Sequence, residues 1–262
     1  MARKSLNNVV KLIESVKNEL PPNEDFLNDL KRSIELDASK STRKPSQTYK
    51  PSSMNCIRNM YYQVVGKDAD EGTINYTSVG ITQSGSDIHE HIQKAVMRMK
   101  DNGIDCEYID VAEFVQSRQL EYLTVVAKQG VETKLYHKGL NMSFLCDGLI
   151  RYKGKYYILE IKTETSYKWQ SRKDVDPKHY NQATAYSIAF GLDEVIFVYI
   201  TRDYLDMKAY LFKVTNDMKQ DLIGKIETCD SYVKSLSVPP KPKEASNKFC
   251  QYCAYQISCN KD

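Results

Sequence analysis

No stretch of this chain carries eighteen consecutive apolar residues, so nothing in it is expected to span a membrane. Its first twenty residues, MARKSLNNVVKLIESVKNEL, hold basic side chains but neither a continuous apolar core nor a small-residue cleavage site. A secretory leader is therefore not expected, and the protein reads as intracellular, in the cytoplasm. A G-x-x-x-x-G-K-[ST] loop is missing, which excludes a phosphate-loop motor within the chain, and internal repeats are missing too. Charge of one sign is scarce: 37 Lys and Arg face 34 Asp and Glu, a net +3 that permits a polyanionic partner without demanding one.

What is present suits a folded α/β protein. The 262 residues suffice for one sizeable domain with appendages or for two small ones, and 41% hydrophobic with 27% charged content is ordinary. Seven cysteines in an intracellular chain argue against a disulfide framework and for metal binding or incidental burial. Cys250, Cys253 and Cys259 crowd the end of the chain, whereas Cys106, Cys146 and Cys229 read as small buried apolar residues.

Two short amphipathic helices are expected at 5–19 and 22–37, parted by Pro21-Pro22, the second with Phe26, Leu27, Leu30, Ile34 and Leu36 on or near one face. Lys40 to Lys50 then holds four cations and no acid, a composition that fits either a strap touching phosphates or a solvated linker. A short helix follows between Ser52 and Gly66. The next, at 84–100, is expected to be capped by Ser84 or Ser86, with Ile88, Ile92, Val96 and Met99 as its buried stripe. A β-rich block runs from about Glu107 to Thr163, then come helix 178–190 ending at Gly191, strands 194–201 and 207–214, and helix 216–236.

The densest chemistry lies in SFLCDGLIRYKGKYYILEIKTE, residues 143–164. Lys153-Gly154 is a good two-residue hairpin turn; it pairs Tyr152 with Lys155 and sets Asp147 opposite Glu160. Opposed acids sit only about 5 Å apart and repel, and a divalent cation offsets that repulsion because hard cations prefer oxygen ligands. Lys162 shares the face of Glu160, while the side chain of Ile161 points to the other layer and its backbone carbonyl can still face a metal. Two acids and a lysine can hold a cation and neutralise charge on a phosphodiester under attack. The plain alternative is a surface hairpin of alternating charge. Likewise His89 alone can be a core histidine, and His179, Gln182 and Tyr186 the polar flank of a helix.

In order, these residues resemble a known family. Asp147 … Glu160-Ile161-Lys162 is similar to the D … E-x-K signature of PD-(D/E)XK nucleases. Gly85-Ser86-Asp87-Ile88-His89-Glu90 resembles the G-x-x-x-H-E element of the RecB-like exonuclease branch, and Gln182-Ala183-Thr184-Ala185-Tyr186 resembles its Q-x-x-x-Y motif. The resemblance implies a restriction-endonuclease-like mixed sheet flanked by helices, in α-β-β-β-α-β order. It implies catalysis by Asp147, Glu160 and Lys162, and Mg²⁺ or Mn²⁺ on His89, Asp147, Glu160 and the Ile161 carbonyl. Gln182, Tyr186 and His179 would support the site or touch DNA. Glu132 lies on a strand upstream of Asp147, where related nucleases sometimes carry another acid, and reads as structural.

Cys250, Cys253 and Cys259, spaced C-x2-C-x5-C, with Cys56 far upstream, resemble the iron–sulfur subgroup that includes the AddB nuclease domain and the RecB-like exonucleases of CRISPR adaptation. There one upstream and three C-terminal cysteines hold a [4Fe–4S] cluster. Ligand spacing alone does not separate such a cluster from zinc, and Ile57 departs from the usual C-P-R element. The expected organisation is a helical appendage with basic linker at 1–50 and a nuclease domain at 51–262, stapled by the four cysteines. The expected activity is hydrolysis of DNA in recombination, repair or processing, by an exonuclease. A structure-specific endonuclease, an inactive nucleic-acid-binding module and a zinc-stapled scaffold are the alternatives. A helicase, an annealing protein or an adaptation complex are the partners that analogy offers.

Overall fold

The computed structural model describes residues 21–40, 45–70, 72, 74–242, 250 and 253–261. The expected helix at 5–19 and part of the basic segment lie outside them. The chain divides into two compact units, Met1–Arg43 with Thr73–Gln83, and Lys44–Gly72 with Ser84–Asp262.

In the smaller unit, helix α1 (Pro22–Ser39) forms where expected, with proline in its first turn, where its missing N–H costs nothing. Its apolar residues Phe26, Leu27, Leu30, Ile34 and Leu36 are all exposed. Glu35 accepts a hydrogen bond from the Tyr76 amide at 3.0 Å, and Lys31 lies 5.0 Å over the Tyr76 ring.

In the larger unit, helix α2 (Ile57–Val64) is closed by Gly66 at φ +75°. Helix α3 (Tyr76–Met97), whose residues up to Gln83 belong to the smaller unit, starts earlier than its sequence suggests. Its start is set by Asn75, whose side chain accepts the Ser78 amide at 2.8 Å, so Ser84 and Ser86 are interior rather than caps. Gly80 within the run had masked this first stretch of helix.

Strands β1 (Cys106–Ile109), β5 (Gly148–Tyr152), β6 (Lys155–Glu164), β7 (Glu194–Thr201) and β8 (Met207–Lys213) form one mixed sheet in the order β1-β5-β6-β7-β8. Only β6 and β7 run parallel, joined through helix α6 (Tyr180–Phe190), which ends at Gly191 with φ +66°. Strands β2 (Leu123–Gln129), β3 (Glu132–His137) and β4 (Met142–Cys146) form a separate antiparallel sheet, with a bulge at Val125/Ala127. Helix α4 (Val111–Ser117) interrupts the block read as β-rich; its cap, Asp110, accepts the Ala112 and Glu113 amides. Helix α5 (Ser166–Ser171) and helix α7 (Asn216–Lys234) follow β6 and β8, and α8 (Gln256–Lys261) ends the described chain. The architecture is thus a mixed five-stranded sheet flanked by helices.

The sheet buries both faces. Ile88 of α3 packs with Leu159, Ile161 and Ile200 on one side. Ile158, Phe197 and Tyr199 meet Ala183, Tyr186 and Phe190 of α6 on the other. Alternation along β6 therefore sends Ile161 towards α3 and leaves Glu160 and Lys162 facing α6. Among the described residues, no helix is long and apolar enough to cross a membrane.

Candidate active site

The hairpin β5–β6 forms with the expected register. Lys153 and Gly154 turn at φ +48° and +80°, as a two-residue hairpin turn requires, and pairing runs from Tyr152↔Lys155 to Gly148↔Leu159. It stops there. Asp147 is not a rung opposite Glu160; it stands at the step where the chain leaves the sheet of β4 and enters that of β5. A Cβ on Gly148 would lie 2.7 Å from the Tyr108 ring, so only glycine lets the backbone pass there. Freed from the ladder, the Asp147 carboxylate accepts the Ile161 amide at 2.6 Å through Oδ2, and its Oδ1 lies 3.5 Å from His89 Nδ1.

Glu160 is 2% exposed. Its Oε1 accepts Lys162 Nζ at 2.5 Å and Gln182 Nε2 at 2.7 Å, while its Oε2 is buried with no hydrogen-bond partner. Burial, and then the Asp147 carboxylate, push the Glu160 carboxyl up to about 7. Burial works against charge on Lys162, but the Glu160 and Asp147 carboxylates outweigh it and raise its pKa, so the lysine stays cationic. In the same way burial opposes protonation of His89, and Asp147 overrides it.

Helix α6 braces this arrangement from behind. Gln182 Oε1 accepts Lys162 Nζ at 3.0 Å, and Gln182 Nε2 also donates to the Tyr186 hydroxyl at 3.0 Å, which itself donates to the Leu145 carbonyl at 2.8 Å. Both side chains are buried, a position that suits fixing the lysine and carboxylate more than touching a bound strand. His179 lies apart from the carboxylates, stacked with Phe197 at 6.1 Å; burial, then the Lys162 and Lys178 cations, push its pKa down to about 3.

Two participants escaped the sequence reading. Glu132, expected to be structural, brings a carboxylate oxygen to a group with His89 and Asp147 whose ligand atoms all lie within 4.8 Å of one another. Burial and Asp147 raise its pKa. Gln93 is 1% exposed and donates to the Asp147 carbonyl at 2.8 Å and to Glu132 Oε1 at 3.4 Å. It lies four residues after His89, on the same helical face, and that spacing was the available signal. The Tyr108 hydroxyl also donates to the Asp147 carbonyl, at 3.2 Å.

The donor set fits a hard divalent cation. Two acids, Glu132 and Asp147, and His89 converge, and the buried Glu160 Oε2, without a donor, is costly unless something positive meets it.

Two of the C-terminal cysteines, Cys253 and Cys259, meet the start of α2, the helix that follows Cys56. Cys56 precedes α2, Asn59 Nδ2 donates to Cys253 Sγ at 3.5 Å, and Arg58 Nη1 donates to Cys259 Sγ at 3.5 Å and to its carbonyl at 3.1 Å. Burial raises the Cys253 thiol, with smaller contributions from Cys56 and Cys250 nearby. All four are partly exposed, whereas Cys106, Cys146 and Cys229 are buried as expected.

No protein-family model matches the chain, and no curated protein sequence does. Among solved structures, SSO0001 is similar at 18% identity, over 90% of this chain and 96% of that one, with a TM-score of 0.45. An alkaline exonuclease (LHK-Exo) from Laribacter hongkongensis is similar at 12% identity, over 73% of this chain and 90% of that one, with a TM-score of 0.47. The same exonuclease in complex with dAMP gives 12% identity and 0.47. Likeness this loose assigns no activity to the chain.

Proposed function

We propose that this chain is a metal-dependent DNA nuclease that acts as an exonuclease. The observation that carries the reading is the buried, donorless Glu160 Oε2 beside Asp147, with a cationic Lys162 on the same strand. His89, Asp147, Glu160 and the Ile161 carbonyl are the ligands the reading assigns to Mg²⁺ or Mn²⁺, and Glu132 joins them. A bound cation would polarise the phosphodiester and make a water a stronger nucleophile at neutral pH. Lys162, held by Gln182, neutralises charge that grows on the phosphate oxygens. Gln93 and Tyr108 fix the Asp147 main chain, so the carboxylate points to the same place before and after substrate arrives.

The nuclease domain of this proposal is 51–262, with 1–50 as its appendage. Cys56, Cys250, Cys253 and Cys259 hold a [4Fe–4S] cluster that staples its two ends, and the Asn59 and Arg58 donors on sulfur suit a thiolate cluster. Lacking a motor, the enzyme takes its ends from a helicase, an annealing protein or an adaptation complex in DNA recombination or repair.

The test is incubation of anaerobically purified protein with Mn²⁺ and end-labelled linear DNA, single- and double-stranded, beside Lys162→Ala. Cleavage by the wild type alone is the expected result, with closed circular DNA left intact. Equal cleavage by the mutant would sink the site, and metal analysis showing zinc in place of iron would sink the cluster.

A further inference from the structure

Strand β6 runs on past the candidate site. Beyond Lys162 it reaches Glu164 and turns into α5, where Tyr167 is 84% exposed. Its parallel neighbour β7 ends at Thr201, and the turn from there into β8 carries Tyr204, 77% exposed. Among the described residues these are the two most exposed large aromatic side chains. These two stand on fixed backbone.

The two segments are tied to each other. Ser166, next to Tyr167, donates its amide at 3.4 Å and its hydroxyl to the carboxylate of Asp203, next to Tyr204. The Arg202 amide donates to the Glu164 carbonyl at 3.1 Å. Within the turn, Thr201 Oγ1 accepts the Tyr204 amide at 3.3 Å and the Asp206 amide at 3.1 Å. Trp169 anchors α5 from below, with its indole N–H on the Tyr199 carbonyl at 3.2 Å. The same two segments carry exposed Lys168 and Lys173 and a partly exposed Arg202, alongside exposed Asp174, Asp203 and Asp206. Among the described residues none of these three cations forms an ion pair.

We propose that Tyr167 and Tyr204 form a stacking platform for the unpaired bases of a single-stranded DNA end, with Lys168, Lys173 and Arg202 meeting its phosphates. The proposal rests on the nuclease reading and deepens it, because it makes the substrate at the pocket a single strand. Every base has a face that stacks on an aromatic ring, and cations free of ion pairs in the same segments are available to phosphates. A protein partner would instead favour a patch whose centre has shed its charges. The span is right as well. The five residues from Lys162 to Tyr167 reach at most ~17 Å, a few nucleotides of extended strand. Rigid rings also lose little freedom on binding, which raises affinity for a flexible strand.

The experiment measures fluorescence anisotropy of a labelled oligothymidylate and of a blunt duplex, in a Lys162→Ala background that removes the need for cleavage. Adding Tyr167→Ala with Tyr204→Ala is expected to weaken single-strand binding about 30-fold, given what stacking contributes per base, and to leave the duplex unchanged. Tyr167→Phe with Tyr204→Phe should restore binding, since stacking needs the ring and not the hydroxyl. Unchanged affinity in the alanine pair overturns the platform and leaves the patch to a protein partner; equal weakening on the duplex overturns the single-strand assignment. A wild type that binds the oligonucleotide through these tyrosines yet never cuts it with Mn²⁺ would fault the nuclease reading alone.

Discussion

Strand β6 carries two buried glutamates, and they are treated in opposite ways. Glu164 has both oxygens met by one guanidinium, Arg172 Nε at 2.7 Å and Nη2 at 2.6 Å, and that guanidinium lies 4.0 Å over the Tyr199 ring. Glu160 has one oxygen shared by a lysine and an amide and the other met by nothing, with a second carboxylate close by. Burial costs both, but only Glu164 has the cost offset at both of its oxygens. On the proposed nuclease reading, the unmet oxygen of Glu160 is the one that takes the cation.

The comparison can be broken at either end. The largest effect is expected from Lys162→Ala, which should cut DNA cleavage by about 10³-fold, near the upper range for removing one group that stabilises developing charge, with the circular dichroism of the fold retained. Arg172→Ala should do the reverse. It strands Glu164 and should lower stability by about 3–5 kcal/mol in urea melts, while the rate per folded molecule holds; Arg172→Lys should recover little, because a lysine cannot reproduce the bidentate fork. Next comes Glu160→Gln, which removes a like-charge contact. Metal-free protein should melt at the same temperature or a few degrees higher. Mn²⁺ at one hundred times its Kd should stabilise the wild type by about 2.7 kcal/mol and the variant far less. A variant that melts lower without metal, and gains as much from Mn²⁺, would erase the contrast between the two glutamates.

The smallest effect concerns the cysteine tail. Asp70 accepts the Ile257 amide at 2.5 Å and the Ser258 amide and hydroxyl, fastening the start of α8. Burial pushes its carboxyl up, but the hydrogen bonds from Ser258 and Ile257 together outweigh that and hold it below the usual carboxylate range. Because the folded pKa is depressed, this fastening is fully present above the ordinary aspartate value and is lost as pH falls through the folded one. It is only partly buried, so the contribution should be about 0.5 kcal/mol. The Ile257 and Ser258 amide resonances should report the transition, and Asp70→Asn should abolish it.

How far the sequence foretold all this depends on whether a residue's role is local. The turn at Lys153-Gly154, the shared face of Glu160 and Lys162, and the shared face of Gln182 and Tyr186 follow from periods of two and near four, whereas the bracing role of the last two is implied only by the family resemblance. Extending the hairpin ladder by one residue puts Asp147 opposite Glu160, but the pairing ends at Gly148↔Leu159. The glycine after Asp147 marks a close backbone approach, which strand periodicity does not register. Glu132 arrives on a separate sheet whose docking no local pattern records, and Gln93 was hidden by the apolar stripe around it. The beginning of α3 was obscured by Gly80, while Asp110 and Glu113 did offer a capping signature for α4 that went unread.

Trp169 is the only tryptophan in the chain. Its indole is tied to β7 and covered by Lys208 at 4.1 Å, two residues along from Tyr167 on the same short helix. The protein's tryptophan emission therefore comes from one spot, at the end of the strand that carries Glu160 and Lys162. Any strand laid across the exposed tyrosines would alter the light from that spot, so the molecule carries its own optical gauge of occupancy and needs no added dye.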